Sequence, residues 1–242
     1  MKEAWDAVLD QYVHHLISPD GRDTFESTSL LVEKMRSLCD VRDTDTLVDI
    51  GCGWGNFALA AAKYARNVVG IEPDPANIRA AKRRSAESAI QYIQGSFEEP
   101  NYAGKADWVI SSLVFHQVSY DRKITALQNI ANMLNPNGRF VLCDPIILFD
   151  AEKEIERFNE VYRYLLRRTT PRDVYQKYIE PTLEEGIIYT WQDMKAYTPK
   201  DNWFYSIAEL ETWLFECGLK IIRTEELAPF FGIVVIALEA GN

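Results

Sequence analysis

Three glycines at alternate positions, in Asp49-Ile50-Gly51-Cys52-Gly53-Trp54-Gly55, stand between a β-branched run, Thr46–Ile50, and an alanine-rich run, Ala58–Tyr64. Glycine reaches positive φ without a Cβ penalty, so this spacing predicts a sharp strand-to-helix turn that lets a ligand approach the backbone. In an open α/β sheet such a turn lies at the carboxyl end of the strands, where ligands bind. About twenty residues on, Val68-Val69-Gly70-Ile71-Glu72 ends a second apolar strand in a carboxylate. An acid there accepts hydrogen bonds from both hydroxyls of a ribose.

The rest of the chain keeps this alternation. Asp74-Pro75 is a helix start, with Asp as N-cap and Pro at the first helical position, and the helix is expected to reach about Glu87. Ile90–Gln94 and Asp107–Ser111 read as third and fourth strands. Ile124, Leu127, Ile130 and Leu134 share one helical face, Asn135-Pro136-Asn137-Gly138 reads as a turn, and Arg139–Cys143 as a fifth strand. Strands separated by helices imply right-handed βαβ units and a parallel sheet.

Both flanks depart from that rhythm. Trp5, Val8, Leu9, Tyr12, Val13 and Leu16 form one helical stripe, broken by Ser18-Pro19-Asp20-Gly21, and a second helix carries Leu30, Leu31, Lys34, Met35 and Leu38. Beyond the fifth strand, Ile155, Phe158, Val161, Tyr162, Leu165 and Leu166 mark an amphipathic helix. An irregular aromatic segment follows, through Tyr189, Trp191, Tyr197, Trp203, Phe204 and Tyr205. Ser206-Ile207-Ala208-Glu209 is a capping box, Gly218 suits the end of the helix it starts, and Leu219–Thr224 and Gly232–Leu238 read as the last two strands. Residues 1–242 therefore read as one domain, with lid helices in 1–40 and a cap insertion at 150–205.

Charge and cysteine usage narrow the partners. With 26 basic and 36 acidic side chains the formal net charge is −10, the opposite of what phosphate-neutralising proteins carry, so no nucleic-acid partner is expected. Cys39, Cys52, Cys143 and Cys217 are widely spaced and read as buried reduced thiols. His14 and His15 lack an acidic or cysteine partner nearby, so no metal is expected. There is no signal-like N-terminus and no apolar run of membrane-spanning length, which makes a cytoplasmic location and no membrane insertion the expectation. A monomer or homodimer is expected.

The glycine spacing separates two nucleotide-binding patterns. A dinucleotide fingerprint, G-x-G-x-x-G, needs a small residue at position 56, where this chain has Asn56; Gly55 comes one place earlier. Asp49-x-Gly51-x-Gly53-x-Gly55 instead resembles motif I of the class I S-adenosylmethionine-dependent methyltransferases, most of all the small-molecule and quinone-biosynthesis types. The resemblance covers most of residues 40–145. It implies a Rossmann-like α/β fold with a seven-stranded, mostly parallel sheet in the order 3-2-1-4-5-7-6, the last strand antiparallel and helices on both faces. It also implies S-adenosylmethionine as cofactor, S-adenosylhomocysteine as product and a small-molecule acceptor. By the same resemblance Gly51, Cys52, Gly53 and Gly55 lie against the methionine end, Asp49 positions its amino group, and Glu72, followed by Pro73, holds the ribose. Ser96 stands where the family often has an acid for the adenine amino group. Phe97 either flanks the adenine or is a structural core residue, and Ser111 lines the pocket.

The loop after the fourth strand, Leu113-Val114-Phe115-His116-Gln117, resembles the family's loop facing the transferable methyl group. His116 is the matched residue, as a general base or an acceptor contact; a purely local hydrogen-bonding role is the other reading. Methyl transfer by in-line displacement from a sulfonium gains much of its rate from alignment and desolvation, so no catalytic triad is required. Tyr12 on the lid and Tyr189, Trp191 and Tyr205 in the cap are candidates for an apolar acceptor pocket, or else build a small core beneath the cap. Arg168, within a cluster with Arg163, Arg167 and Arg172, either captures an anionic acceptor or forms a solvated helix end. Two other functions stay open: a cofactor-binding regulator without turnover, and a methyltransferase acting on tRNA or protein.

Overall fold

The computed structural model describes residues 2–17, 23–184, 186–197 and 202–239. It opens with helix α1 (Lys2–Tyr12), an antiparallel pair of strands, β1 (Val13–Ile17) and β2 (Asp23–Ser27), and helix α2 (Ser29–Ser37). The helical stripe expected to reach Leu16 thus stops at Tyr12. Val13 pairs with Ser27 and Ile17 with Asp23, so a strand ladder satisfies the backbone where the apolar period alone suggested helix. The turn expected at Ser18-Pro19-Asp20-Gly21 falls outside the described residues. Thr28 caps α2, its hydroxyl accepting the N–H of Leu31 and donating to the Gln11 carbonyl.

The central unit alternates as expected: β3 (Thr46–Ile50), α3 (Asn56–Ala61), β4 (Asn67–Glu72), α4 (Pro75–Arg84), β5 (Ile90–Gln94), β6 (Ala106–Ser112), α5 (Lys123–Met133) and β7 (Leu134–Asp144). Asp74 caps α4 by accepting the Ala76 N–H at 2.7 Å, and this helix ends at Arg84, one turn earlier than expected. The turn expected at Asn135–Gly138 lies instead inside β7, as an irregularity in its pairing with β6; Asn135 is held there by Asp107 at 2.7 Å.

After β7 come a short strand β8 (Ile146–Ile147), the amphipathic helix α6 (Ile155–Thr169), and two short helices, α7 (Arg172–Val174) and α8 (Glu180–Glu184), bridged by a π-helical turn at Tyr175–Ile179. Then follow α9 (Trp191–Tyr197), β9 (Tyr205–Ser206), α10 (Ile207–Glu216), β10 (Leu219–Ala228) and β11 (Phe231–Leu238). The segment expected to be irregular is therefore largely helical up to Tyr197. The capping box at Ser206 and Glu209 is formed, and Gly218 closes α10 with φ +65°.

The seven sheet strands run β10-β11-β7-β6-β3-β4-β5, and β11 is antiparallel to both of its neighbours. Numbered along the sheet-forming strands, this is the expected order 3-2-1-4-5-7-6. On one face Leu31, Met35, Phe57, Phe158 and Tyr164, from α2, α3 and α6, pack with Ile110, Val141 and Ile233. On the other, Leu127, Ile130, Leu210 and Leu214, from α5 and α10, pack with Val48, Val109 and Val234. Among the described residues the four cysteines are unpaired thiols, and no helix is long and apolar enough to cross a membrane. This stacking brings the carboxyl ends of β3, β4, β6 and β7 to one edge, where Asp49, Glu72, Ser111 and Asp144 are found.

Candidate active site

The turn after β3 uses all three of its glycines in the left-handed region, with φ +75° at Gly51, +51° at Gly53 and +78° at Gly55. The N–H groups of Gly51 and Cys52 both donate to the Ile71 carbonyl, at 2.8 and 3.0 Å, which ties the turn to β4. A Cβ on Gly51 would lie 2.6 Å from Val114, so this glycine lets the loop after β6 press against the turn. Gly51→Ala should therefore destabilise the fold by roughly 2 to 4 kcal/mol, combining a strained φ with overpacking, as read by thermal unfolding. At Gly53 a Cβ would meet nothing within 4 Å, leaving this backbone open to a ligand.

Two carboxylates converge on the turn. Asp49 is 3% exposed and accepts the Ala58 N–H at 3.1 Å; burial pushes its carboxyl up to about 7, and nearby Glu72 acts in the same direction. A buried acid of this kind favours a cationic ligand, which would return it to its ionised form. Glu72 accepts from Gly53 N–H at 3.1 Å, from Asp74 N–H at 3.0 Å and from the Asn77 amide at 3.1 Å. It is thus fixed at the carboxyl end of β4 and directed to the glycine turn. Cys52 is buried, its thiol pushed up by burial, and the Pro73 carbonyl accepts from Gln94. Ser111 is fully buried at the end of β6, and its hydroxyl has no hydrogen-bond partner among the described residues.

The adenine side differs from the expectation. The Ser96 hydroxyl oxygen accepts the N–H groups of Glu98 and Glu99, both at 3.2 Å, so its acceptor capacity serves its own loop. Phe97 is 3% exposed and packs edge-on against Phe115 at 5.4 Å, which makes it a core side chain.

The loop after β6 brings a histidine to a buried carboxylate. Leu113 takes φ +62°, strained for a branched side chain, while its N–H donates to the Cys143 carbonyl at 2.8 Å. That reversal leads into a 3₁₀ turn at Phe115–Gln117. His116 Nδ1 then lies 2.9 Å from Asp144 Oδ1, and the ring stacks on Phe204 at 5.9 Å with an interplanar angle of 10°. The Tyr205 hydroxyl donates to Asp144 Oδ2 at 2.8 Å. Asp144 is fully buried, so both its oxygens are occupied by side chains that orient it. With the carboxylate as acceptor, Nδ1 is the donor, and in the neutral ring Nε2 is then the acceptor nitrogen.

Asp144 closes an otherwise apolar strand and its partners lie 28 and 61 positions away, so no local pattern shows those contacts. A carboxylate followed by Pro145 at the end of Phe140-Val141-Leu142-Cys143 is the signal that marks it.

The other expected acceptor contacts have structural partners. Tyr205 is fully buried and reaches only inward. Trp191 is 3% exposed and packs edge-on to Phe158 at 5.6 Å. Tyr189 packs against Tyr162 at 5.5 Å, and its hydroxyl lies 3.1 Å from that of Thr182. Tyr12 is half-buried against the α2 and α3 side of the core. Arg168 pairs with Asp10 at 2.9 Å and Asp6 at 3.5 Å, joining α6 to α1. Arg163 is committed to the Ile187 carbonyl at 2.7 Å. The strand pair β1–β2 reaches the sheet edge instead, where Glu26 accepts from Asn56 and the hydroxyls of Ser27 and Ser112 meet.

Comparison with known proteins agrees with this geometry. Residues 48–142 match the family described as a methyltransferase domain. An uncharacterised methyltransferase of Alkaliphilus oremlandii is 27% identical over 210 residues, covering 81% of this chain and 93% of the relative. A 23S rRNA (uracil(1939)-C(5))-methyltransferase of Aliivibrio fischeri is 29% identical over 125 residues, covering 49% of this chain but 28% of that protein. Among solved structures, a magnesium protoporphyrin IX methyltransferase from Synechocystis with bound S-adenosylmethionine superposes with a TM-score of 0.54. It is 13% identical, with 87% of this chain and 77% of that chain covered. The sheet order is that of the class I methyltransferase fold, which this neighbour shares. The chain carries a methyltransferase domain at residues 48–142.

Proposed function

We propose that this chain binds S-adenosylmethionine at the Gly51–Gly55 turn and methylates a small-molecule acceptor, with His116 as general base. The observation that carries this reading is the buried His116–Asp144 pair at the sheet edge, in the loop whose Val114 packs against Gly51. The residues at the turn suit the cofactor: an open backbone at Gly53, the unpartnered Ser111 hydroxyl, and two acids for its ammonium and ribose groups. Once bound, S-adenosylmethionine supplies a sulfonium methyl group as electrophile. Asp49 would hold the amino group, and Glu72, which now accepts from Gly53 and Asn77, would hold the ribose hydroxyls. His116 Nε2 takes the proton of the attacking hydroxyl or amine while Asp144 steadies the imidazolium that forms. Phe204, stacked on that ring, keeps water from one of its faces.

A net charge of −10 supports a small acceptor over RNA, and the rRNA-modifying relative matches through a limited part of its own length. We further read residues 150–205 as a cap over the acceptor, with the whole chain working as one unit. The test is a screen of metabolite pools for label transferred from methyl-labelled cofactor. Label appearing in a small organic product supports the reading; label entering only RNA or protein overturns the small-molecule assignment.

A further inference from the structure

Lys123, the first residue of α5, has 0% exposure, which is rare for an ammonium group. Its Nζ donates to the Phe115 carbonyl at 2.9 Å, one residue before His116. It lies 4.3 Å from the Phe115 ring centroid, 4.5 Å from that of Tyr205 and 5.7 Å from that of Trp213. The Tyr205 ring is the same one whose hydroxyl holds Asp144. A cation over a phenol ring strengthens the hydroxyl as a donor, so the lysine acts on the carboxylate both directly and through the tyrosine.

A solitary carboxylate against His116 would favour the imidazolium, which cannot accept a proton. A buried cation that also interacts with that carboxylate opposes this effect. We propose that Lys123 is a positioning residue for the histidine–carboxylate pair: its ammonium balances Asp144 and keeps the His116 imidazole neutral and ready to act as a base. The proposal rests on the base role given to His116 above.

The other charges around the cluster are accounted for. Glu209, on α10, faces Lys123 but is paired with Lys195 and caps Ser206; Glu98, after β5, faces it more weakly. Cys143 adjoins Asp144, and burial keeps its thiol protonated. Burial lowers the Lys123 ammonium to about 7, with Asp144, Glu209 and Glu98 opposing that shift.

The experiment is a nuclear magnetic resonance titration of the full chain carrying labelled histidine. The chain has three histidines, and His116→Asn identifies the signal of His116. Lys123→Met should raise the His116 midpoint by about one pH unit, and Asp144→Asn should lower it by a similar amount. The double variant should return close to the wild type. If Asp144→Asn moves the midpoint and Lys123→Met leaves it in place, Lys123 only fills space and the proposal fails. If neither variant moves it, the histidine–carboxylate pair itself is wrong, and the base assignment fails with it. Should Lys123→Met not fold, Lys123→Gln, which keeps an N–H for the Phe115 carbonyl, is the second variant, and an unmoved His116 midpoint in it overturns the proposal.

Discussion

Replacing His116 by asparagine should lower kcat by about 10²- to 10⁴-fold at saturating acceptor, the range expected for loss of a positioned base. Asparagine retains a side-chain N–H for Asp144, so the buried carboxylate keeps its partner and the fold is spared an unpaired charge. Cofactor affinity should stay within a few-fold of the wild type, because the glycine turn, Asp49 and Glu72 are untouched. A variant that keeps most of its kcat would show that alignment and desolvation alone drive transfer, with His116 serving as a contact.

Asp49→Asn should act in opposite directions on stability and binding. The carboxyl is raised by burial from its ordinary 3.8 to about 7, so between those values the folded protein holds one proton more than the unfolded chain. Stability therefore falls as pH rises through that window; the penalty is absent below about 3.8 and complete above about 7. An amide cannot ionise and can still accept the Ala58 N–H. Above neutrality, the ligand-free variant should gain about 1 to 3 kcal/mol, allowing for relaxation of the full three-unit shift, and melt several degrees higher. The same change should weaken cofactor binding at least about tenfold, since a buried charge no longer meets the ammonium group. Wild-type affinity should also tighten as pH rises through 7, and the variant should lose that dependence. Equal melting temperatures above neutrality would contradict the buried-acid account.

These effects trace to features that differ in how legibly the sequence carries them. The glycine turn and Glu72 are local: alternate glycines demand positive φ, and the acid closes a strand of recognisable pattern. The sheet order followed from resemblance, since periodicity locates strands but not their neighbours. The apolar period of the first helix continues through Val13 and Leu16, where pairing with Asp23–Ser27 outweighs local preference. Ser96 and Phe97 were read by position, yet backbone N–H groups and the Phe115 ring take up their side chains. The pairing of His116 with Asp144 and Tyr205, and the burial of Lys123 beside them, arise only when β6, β7, α5 and β9 come together. No window of sequence contains them.

If the glycine turn and Glu72 form one site for S-adenosylmethionine, titration calorimetry with S-adenosylhomocysteine will read it out at that acid. Wild-type protein should bind at one site per chain. Glu72→Ala should bind about 10- to 150-fold more weakly, the equivalent of roughly 1.5 to 3 kcal/mol for hydrogen bonds to a charged acceptor. No heat of binding in the wild type, or the same affinity in both proteins, would contradict the account.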